Sequence, residues 1–143
     1  MIHLGPRPTI REPWTLDISK QAIGRAGEFQ AAAIFELHGI ITTHVDIYGV
    51  DLWVQTPSGR RVTVQVKTTR CPQKYKENRT PRYTFQIYNA GSGGADVYCF
   101  VALDLGLFRL LSSGELPKTR TKCYAVAQFT QELLEEDIRR YLY

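Results

Sequence analysis

Apolar residues recur at helical spacing in the first part of the chain. Between residues 19 and 38 they share one face of an α-helix, as expected for a helix that packs on a core; these positions are Ile23, Ala26, Ala33, Ile34 and Leu37. Ser19 or Asp17 can accept hydrogen bonds from the first backbone amides, and Gly39 stands where a helix ends. The pattern predicts a helix from about Ser19 to His38.

A change from helical spacing to alternation predicts strands after residue 39. The segments IITTHVDIY and VDLWVQT are rich in β-branched residues, and the turn PSGR joins the second to RVTVQVKTT, which predicts a β-hairpin. Successive side chains of a strand point to opposite faces. In RVTVQVKTT three valines therefore share one face and three polar residues the other: Val62, Val64 and Val66 against Thr63, Gln65 and Lys67.

The second half of the chain alternates short apolar segments with polar connectors. YTFQIY (83–88), LFRLL and CYAVA are predicted as short strands, and NAGSGGAD (89–96) as a connector. DVYCFVAL, which includes Cys99, is nearly continuous in apolar residues and predicts a central strand buried on both faces. A last helix is predicted from Gln131 to about Leu142, with Thr130 as its cap. The order helix, strands, helix predicts a mixed α/β fold in one domain, residues 1–143.

Composition narrows the class of protein. With 143 residues, 43% of them hydrophobic, the chain can bury a core without disulfides. No segment approaches the roughly 20 apolar residues of a membrane helix, and the N-terminus has prolines and charges where a secretion signal needs an apolar run. We therefore expect a cytoplasmic protein without a membrane partner. Cys71, Cys99 and Cys123 are far apart, which argues against a zinc site, and Trp14 and Trp53 are expected to be core or packing residues rather than platforms for base stacking.

Positive charge is concentrated in one segment. The net charge of the whole chain is +4, and the segment 70–82 alone has the same excess, with Glu77 as its one acid. Its basic residues are Arg70, Lys74, Lys76, Arg79 and Arg82. A concentrated basic loop favours DNA or another polyanion as partner. The alternative is a loop that only faces water.

Four residues combine the chemistry that phosphodiester hydrolysis needs. The reaction requires an activated water and neutralised charge on the phosphate, and a divalent cation supplies both. Mg²⁺ prefers oxygen ligands, which Asp51, the Gln65 side chain and the Val66 carbonyl can provide, with Glu28 as a further ligand from the first helix. Lys67 shares a face with Gln65 and can orient the water or offset charge at the phosphate.

Each of these residues also has an ordinary structural explanation. Glu28 can be a solvated helix residue, and Asp51 can simply start a strand after a glycine turn. Lys67 can be an edge-strand lysine that protects against aggregation. Asp46 stands close in sequence and competes with Asp51 for the metal role.

Taken together, the segments GRAGEFQAAAIFELHG, YGVDLWV and VTVQVKTT resemble the helix Glu, the Asp strand and the (D/E/Q)xK strand of PD-(D/E)XK nucleases. The likeness spans roughly residues 19–112 and is greatest to the group I intron-associated homing endonucleases, whose small members have a QxK variant. Most members of the superfamily have Glu or Asp where Gln65 stands, so this site has one negative charge fewer. Holliday junction resolvases share the same core arrangement.

The resemblance implies a restriction-endonuclease-like α/β core, a mixed β-sheet flanked by helices, with Glu28, Asp51, Gln65 and Lys67 as catalytic residues. It implies an endonuclease dependent on Mg²⁺, with Mn²⁺ as a substitute, that cuts double-stranded DNA at a long specific site as a homodimer or homotetramer. Two alternatives stay open. One is a structure-selective nuclease for branched DNA, and the other is a catalytically silent DNA-binding module of the same fold.

Overall fold

The computed structural model describes residues 18–47, 49–74, 76, 79–87 and 94–143. Within these ranges the chain forms two α-helices, seven β-strands and two single turns of 3₁₀ helix (Ser113–Glu115 and Val126–Gln128). The helices and strands are, in chain order, α1 (Lys20–Leu37), β1 (Ile41–Ile47), β2 (Val50–Gln55), β3 (Arg61–Thr69), β4 (Arg82–Gln86), β5 (Val97–Ala102), β6 (Leu107–Ser112), β7 (Thr121–Ala125) and α2 (Gln131–Leu142).

The main sheet has five strands in the order β1-β2-β3-β5-β6. The pair β3–β5 is parallel, with Gln65 opposite Tyr98, and the other pairs are antiparallel. Strands β4 and β7 form a separate two-stranded antiparallel sheet. The predicted α/β architecture, a mixed sheet flanked by helices, is confirmed.

Strand β5 lies at the centre of the core and is buried along its whole length, which confirms the prediction for DVYCFVAL. Its side chains alternate between two apolar clusters. Val97, Cys99 and Val101 face the cluster that includes residues of both helices. Tyr98, Phe100 and Ala102 face the cluster built with β4 and β7. Both layers of core therefore depend on this one strand.

Both predicted helices form close to their predicted bounds. The Ser19 hydroxyl accepts a hydrogen bond from the Ala22 amide at 3.2 Å, and the Thr130 hydroxyl accepts one from the Leu133 amide at 3.1 Å. These bonds satisfy amides that have no partner within the first helical turn.

In the part of the chain that the structure describes, neither helix combines the length and the apolar character that a membrane span needs.

The face that α1 buries differs from the predicted one. Its buried positions are Gly27, Ala31 and Phe35, whereas Ala33 is exposed and Leu37 is 85% exposed. The run of alanines places small apolar residues on adjacent faces of the helix, so their spacing alone does not choose between faces. Packing against the sheet decides which face is buried. Gly27 and Ala31 lie on the buried face, where small residues let the helix lie close to the strands.

Gly27 permits that close approach. A Cβ atom at this position would overlap with the side chain of Thr68 on β3. Because Glu28 follows Gly27 on the helix and Lys67 precedes Thr68 on the strand, the same approach brings the two candidate site residues toward one region. The absence of a side chain at Gly27 thus helps to form the site.

We expect Gly27→Ala to destabilise the protein by about 1–3 kcal/mol, because an added methyl group in a filled space displaces its neighbours. Gly24→Ala is the matched control on the same helix. No atom lies within 4 Å of a Cβ added there, so the better helix propensity of alanine should stabilise the protein by about 0.5–1 kcal/mol. Urea denaturation of both variants measures the difference, and equal gains in stability would contradict the close packing.

Three details of the sequence prediction need correction. Trp53 is 51% exposed, because it points away from the helices. It also takes no part in the second apolar cluster, which is built around β5. Trp14 lies outside the described residues. The strand predicted as CYAVA ends at Ala125 and continues as a 3₁₀ turn. The strand predicted as YTFQIY is observed as Arg82–Gln86, and Tyr88 lies outside the described residues.

Candidate active site

Asp51 is held at the start of β2 by a bond to the neighbouring strand. Its Oδ2 accepts a hydrogen bond from the Val66 amide at 2.7 Å. The regular pairing of β2 with β3 ends at Leu52 and Val64, so the carboxylate takes a position that a backbone carbonyl would otherwise hold. This bond orients the carboxylate toward the strand that carries Gln65 and Lys67.

Glu28 reaches the same point from α1. Its carboxyl group makes a side-chain hydrogen bond with Asp51. Partial burial, followed by the charge of Asp51 and that hydrogen bond, raises the pKa of Glu28 from 4.5 to about 7. Asp46 adds a smaller rise, and Arg25 opposes it. Glu28 therefore holds its proton more strongly than an ordinary glutamate, with Asp51 as its direct partner and Asp46 acting through charge.

The side chain of Gln65 on β3 forms hydrogen bonds with residues on both sides of that strand. With the amide oriented to satisfy its hydrogen bonds, its nitrogen donates to the Gly49 carbonyl at 3.1 Å and to the Tyr98 hydroxyl at 3.2 Å. Its oxygen accepts from Lys67 Nζ at 3.2 Å. Gln65 is thus fixed on both sides, and its oxygen holds the ammonium group of Lys67.

Lys67 is a partly buried lysine on an internal strand. Burial lowers its pKa, and the charge of Asp51 partly offsets this effect. Since β3 lies between β2 and β5, the alternative explanation as an edge-strand lysine is wrong. An ammonium group withdrawn from water beside a carboxylate is a common feature of catalytic sites.

The structure therefore brings together all four residues singled out in the sequence, Glu28, Asp51, Gln65 and Lys67, through hydrogen bonds and charge. Sequence reasoning missed Tyr98, which lies opposite Gln65 in the parallel pair of strands. The one available signal was a tyrosine within an apolar segment, since a buried hydroxyl needs a partner.

The donor atoms gathered here are oxygens. The described part of the chain contains no group of three or more His, Cys, Asp or Glu side chains that could hold a metal, so the candidate donors are the two carboxylates, the Gln65 amide and the Val66 carbonyl. The N–H and C=O of one residue point to the same side of a strand, which directs the Val66 carbonyl toward β2, as its amide is. The pKa of Glu28 is raised first by burial and then by the neighbouring charge of Asp51, so a cation placed between the two carboxyl groups would offset both effects. These features fit one hard divalent cation.

The basic segment is anchored beside the site at its base. The Gln73 amide donates to the Arg82 carbonyl at 2.9 Å, and the Arg82 amide donates to the Gln73 carbonyl at 3.0 Å. Four of its basic side chains are exposed and Arg70 is partly buried; the exposed ones are Lys74, Lys76, Arg79 and Arg82. Tyr75, Glu77 and Asn78 lie outside the described residues.

Glu28→Gln should stabilise the protein, and more so at high pH. The folded protein retains a proton on Glu28 up to about pH 7, whereas the unfolded chain loses it near pH 4.5. Stability therefore falls as pH rises between these two values. Glutamine keeps a hydrogen-bond donor toward Asp51 without adding charge. We expect a gain of about 1–2 kcal/mol at pH 8, less than the full shift because water screens part of the repulsion.

The measurement is thermal unfolding of both proteins in EDTA at pH 5 and at pH 8. At pH 5 most of the wild-type protein already holds the proton, so the two melting temperatures should differ little. Equal differences at the two pH values would mean that folding does not raise the pKa of Glu28.

No family profile matches the sequence, and no curated protein sequence matches it. Among solved structures, the fold is similar to that of a bacterial homing endonuclease, I-Ssp6803I, with a TM-score of 0.59 and 14% sequence identity. The match covers 85% of this chain and 96% of that chain. The likeness at this identity concerns the fold: the chain shares its mixed α/β architecture with a bacterial homing endonuclease.

Proposed function

We propose that the protein is a Mg²⁺-dependent endonuclease for double-stranded DNA, with Glu28, Asp51, Gln65 and Lys67 as its active site. The observation that carries this proposal is geometric: Asp51 is fixed on the Val66 amide of β3 at 2.7 Å, and the Lys67 ammonium is held by Gln65 on the same strand at 3.2 Å. The fold similarity to a homing endonuclease supports it. We also propose membership of the PD-(D/E)XK superfamily in its QxK form, because the motif residues occupy the helix and the two strands that this family uses.

A bound divalent cation would neutralise charge on the phosphate and acidify a water molecule. Asp51 and Glu28 would hold it through their carboxylate oxygens, and its charge would favour loss of the proton from Glu28. The Val66 carbonyl and the Gln65 amide add neutral oxygens; Mn²⁺ prefers similar ligands and should substitute for Mg²⁺. Because Gln65 is neutral, this set has less charge than one with glutamate, and we expect weaker metal affinity as a result.

Lys67 acts on the substrate side of the site. During hydrolysis, water attacks phosphorus, one P–O ester bond breaks, and the departing oxygen gains a proton. Negative charge grows on the oxygens around phosphorus as this happens, and an ammonium group held in a partly dry position stabilises it strongly. The hydrogen bond from Lys67 Nζ to Gln65 at 3.2 Å preorganises that group. Gln65 is therefore a positioning residue as well as a metal donor.

The test uses purified protein with Mg²⁺ or EDTA and two substrates, a plasmid library of genomic DNA and a synthetic four-way junction. A homing-type enzyme should produce discrete, Mg²⁺-dependent cuts in the library and show little preference for the junction. Cutting confined to the junction would favour a structure-selective nuclease. Binding of duplex DNA with no cutting of either substrate would favour the silent DNA-binding module and overturn the proposed activity.

We further propose that two or four copies act together. A domain of this size presents one site, and cutting both strands of a duplex requires two. Sedimentation with and without duplex DNA checks the assembly: a monomer in both states that still makes double-strand breaks would contradict it.

A further inference from the structure

A second polar surface begins at the candidate site. A groove of about 790 Å³ lies between the first turn of α1, the end of β3 and strand β4. Lys67, Lys20 and Arg70 line it. We call it the β3–β4 groove.

Among the described residues, every charged side chain that lines the β3–β4 groove is positive. Its cations are Lys20 of α1, Lys67 of β3 and Arg70, which follows β3, and among the described residues that line it none is Asp or Glu. The β4 side adds neutral hydrogen-bonding groups from Thr84 and Gln86, and Gln73 adds another from the basic segment. A run of cations and neutral donors with no carboxylate is suited to a phosphodiester backbone.

The walls of the groove are held in place by bonds within the fold. The Thr69 hydroxyl donates to the Thr84 carbonyl at 2.7 Å, which joins β3 to β4 although they belong to different sheets. The backbone pair between Gln73 and Arg82 holds Gln73, which lines the groove, in place. The groove is therefore formed before any ligand binds, which reduces the entropic cost of binding.

Lys20 is the cation that α1 contributes to the β3–β4 groove. It is exposed at the first position of α1, a turn of helix that carries no acidic residue. It lies far from the basic segment in sequence but shares a groove with Arg70 and Lys67. Cations from two separate parts of the chain thus line one groove together with the candidate catalytic lysine.

We infer that the β3–β4 groove binds the sugar–phosphate backbone of the strand that is cut, next to the scissile phosphate, and that Lys20 is a positioning residue that binds a flanking phosphate. This inference rests on the proposed endonuclease function. It adds the place where one strand lies and a phosphate-binding residue outside the nuclease motifs.

The test measures binding of a fluorescent 30-base-pair duplex of random sequence, without divalent metal, over a range of salt concentrations. Each phosphate contact contributes about 0.9 to the slope of log affinity against log salt. Lys20→Ala should lower the magnitude of that slope by about this amount. Lys118→Ala is the matched control, because Lys118 is exposed and does not line the groove, and its slope should equal that of the wild type.

A second pair of variants tests the β4 wall. Gln86→Glu places a carboxylate in the groove and should weaken duplex binding about fivefold, the effect of one like-charge contact in water. Gln55→Glu makes the same change at an exposed position outside the groove and should have no such effect. All four positions are exposed, so circular dichroism should show unchanged folding.

The outcomes separate this inference from the function on which it rests. Wild-type slopes for Lys20→Ala, or equal effects of Gln86→Glu and Gln55→Glu, would overturn the groove while leaving Mg²⁺-dependent cutting untouched. A wild-type protein that neither binds nor cuts duplex DNA would overturn both.

Discussion

Lys67→Ala is expected to lower the rate of Mg²⁺-dependent DNA cleavage by about a hundredfold to a thousandfold, the usual cost of losing one preorganised group that stabilises transition-state charge. Duplex affinity should fall by no more than the loss of one phosphate contact, since the other cations of the groove and of the basic segment remain. Stability should stay the same or rise slightly, because burial disfavours the charged form of this lysine. Single-turnover cleavage, duplex binding and thermal unfolding measure the three quantities separately.

Asp51→Ala provides the contrast for that experiment. It should abolish cutting by a different route, because it removes a carboxylate that binds the metal. Titration with Mn²⁺, followed by electron paramagnetic resonance, should show binding to Lys67→Ala and little binding to Asp51→Ala. If Lys67→Ala cut DNA at the wild-type rate, Lys67 would have no part in the reaction; if it also lost Mn²⁺, its role would lie in forming the site.

Asp137→Ala is expected to destabilise the protein by about 3–5 kcal/mol, the typical cost of leaving one partner of a buried ion pair alone. Asp137 is 6% exposed. Its Oδ2 accepts from Arg109 Nε at 2.8 Å and from the Leu110 amide at 2.9 Å. The substitution therefore leaves a partly buried guanidinium and a buried backbone amide without their acceptor, and detaches α2 from β6.

Thermal unfolding measures this effect, and a loss of about 3 kcal/mol corresponds to a melting temperature lower by roughly 10 °C. Glu136→Ala is the matched control, because Glu136 is the adjacent residue and is exposed; it should change stability by less than about 0.5 kcal/mol. Similar melting temperatures for the two variants would show that the Arg109–Asp137 pair does not hold the helix on the sheet.

The sequence predicted much of the site because its parts obey local rules. Alternation in RVTVQVKTT separates Gln65 and Lys67 from the buried valines, and the structure keeps that separation. The hairpin places Asp51 beside the same strand, since a short turn leaves few ways to pair the two segments. The position of Glu28 depends on which face of α1 meets the sheet, and the apolar spacing of α1 indicates a different face from the one that is buried.

Other features could not be predicted from the sequence, because they depend on contacts between distant segments. The parallel neighbour of β3 is β5, and only this pairing places Tyr98 against Gln65. The pairing of β4 with β7, which covers the second face of β5, has no local signal. Lys20 joins Arg70 and Lys67 in one groove although nothing in its neighbourhood marks it.

The sequence by itself thus determined the elements, their caps, the polar face of β3 and the residue types of a phosphodiester-cleaving site. These follow from backbone periodicity and from the intrinsic chemistry of side chains, which act over a few residues. The tertiary structure alone decided which helix face is buried, which strands are neighbours, the raised pKa of Glu28 and the path of the groove. Those properties arise from burial and from charge across segments that meet only after folding, so their energies cannot be assigned to any single stretch of the chain.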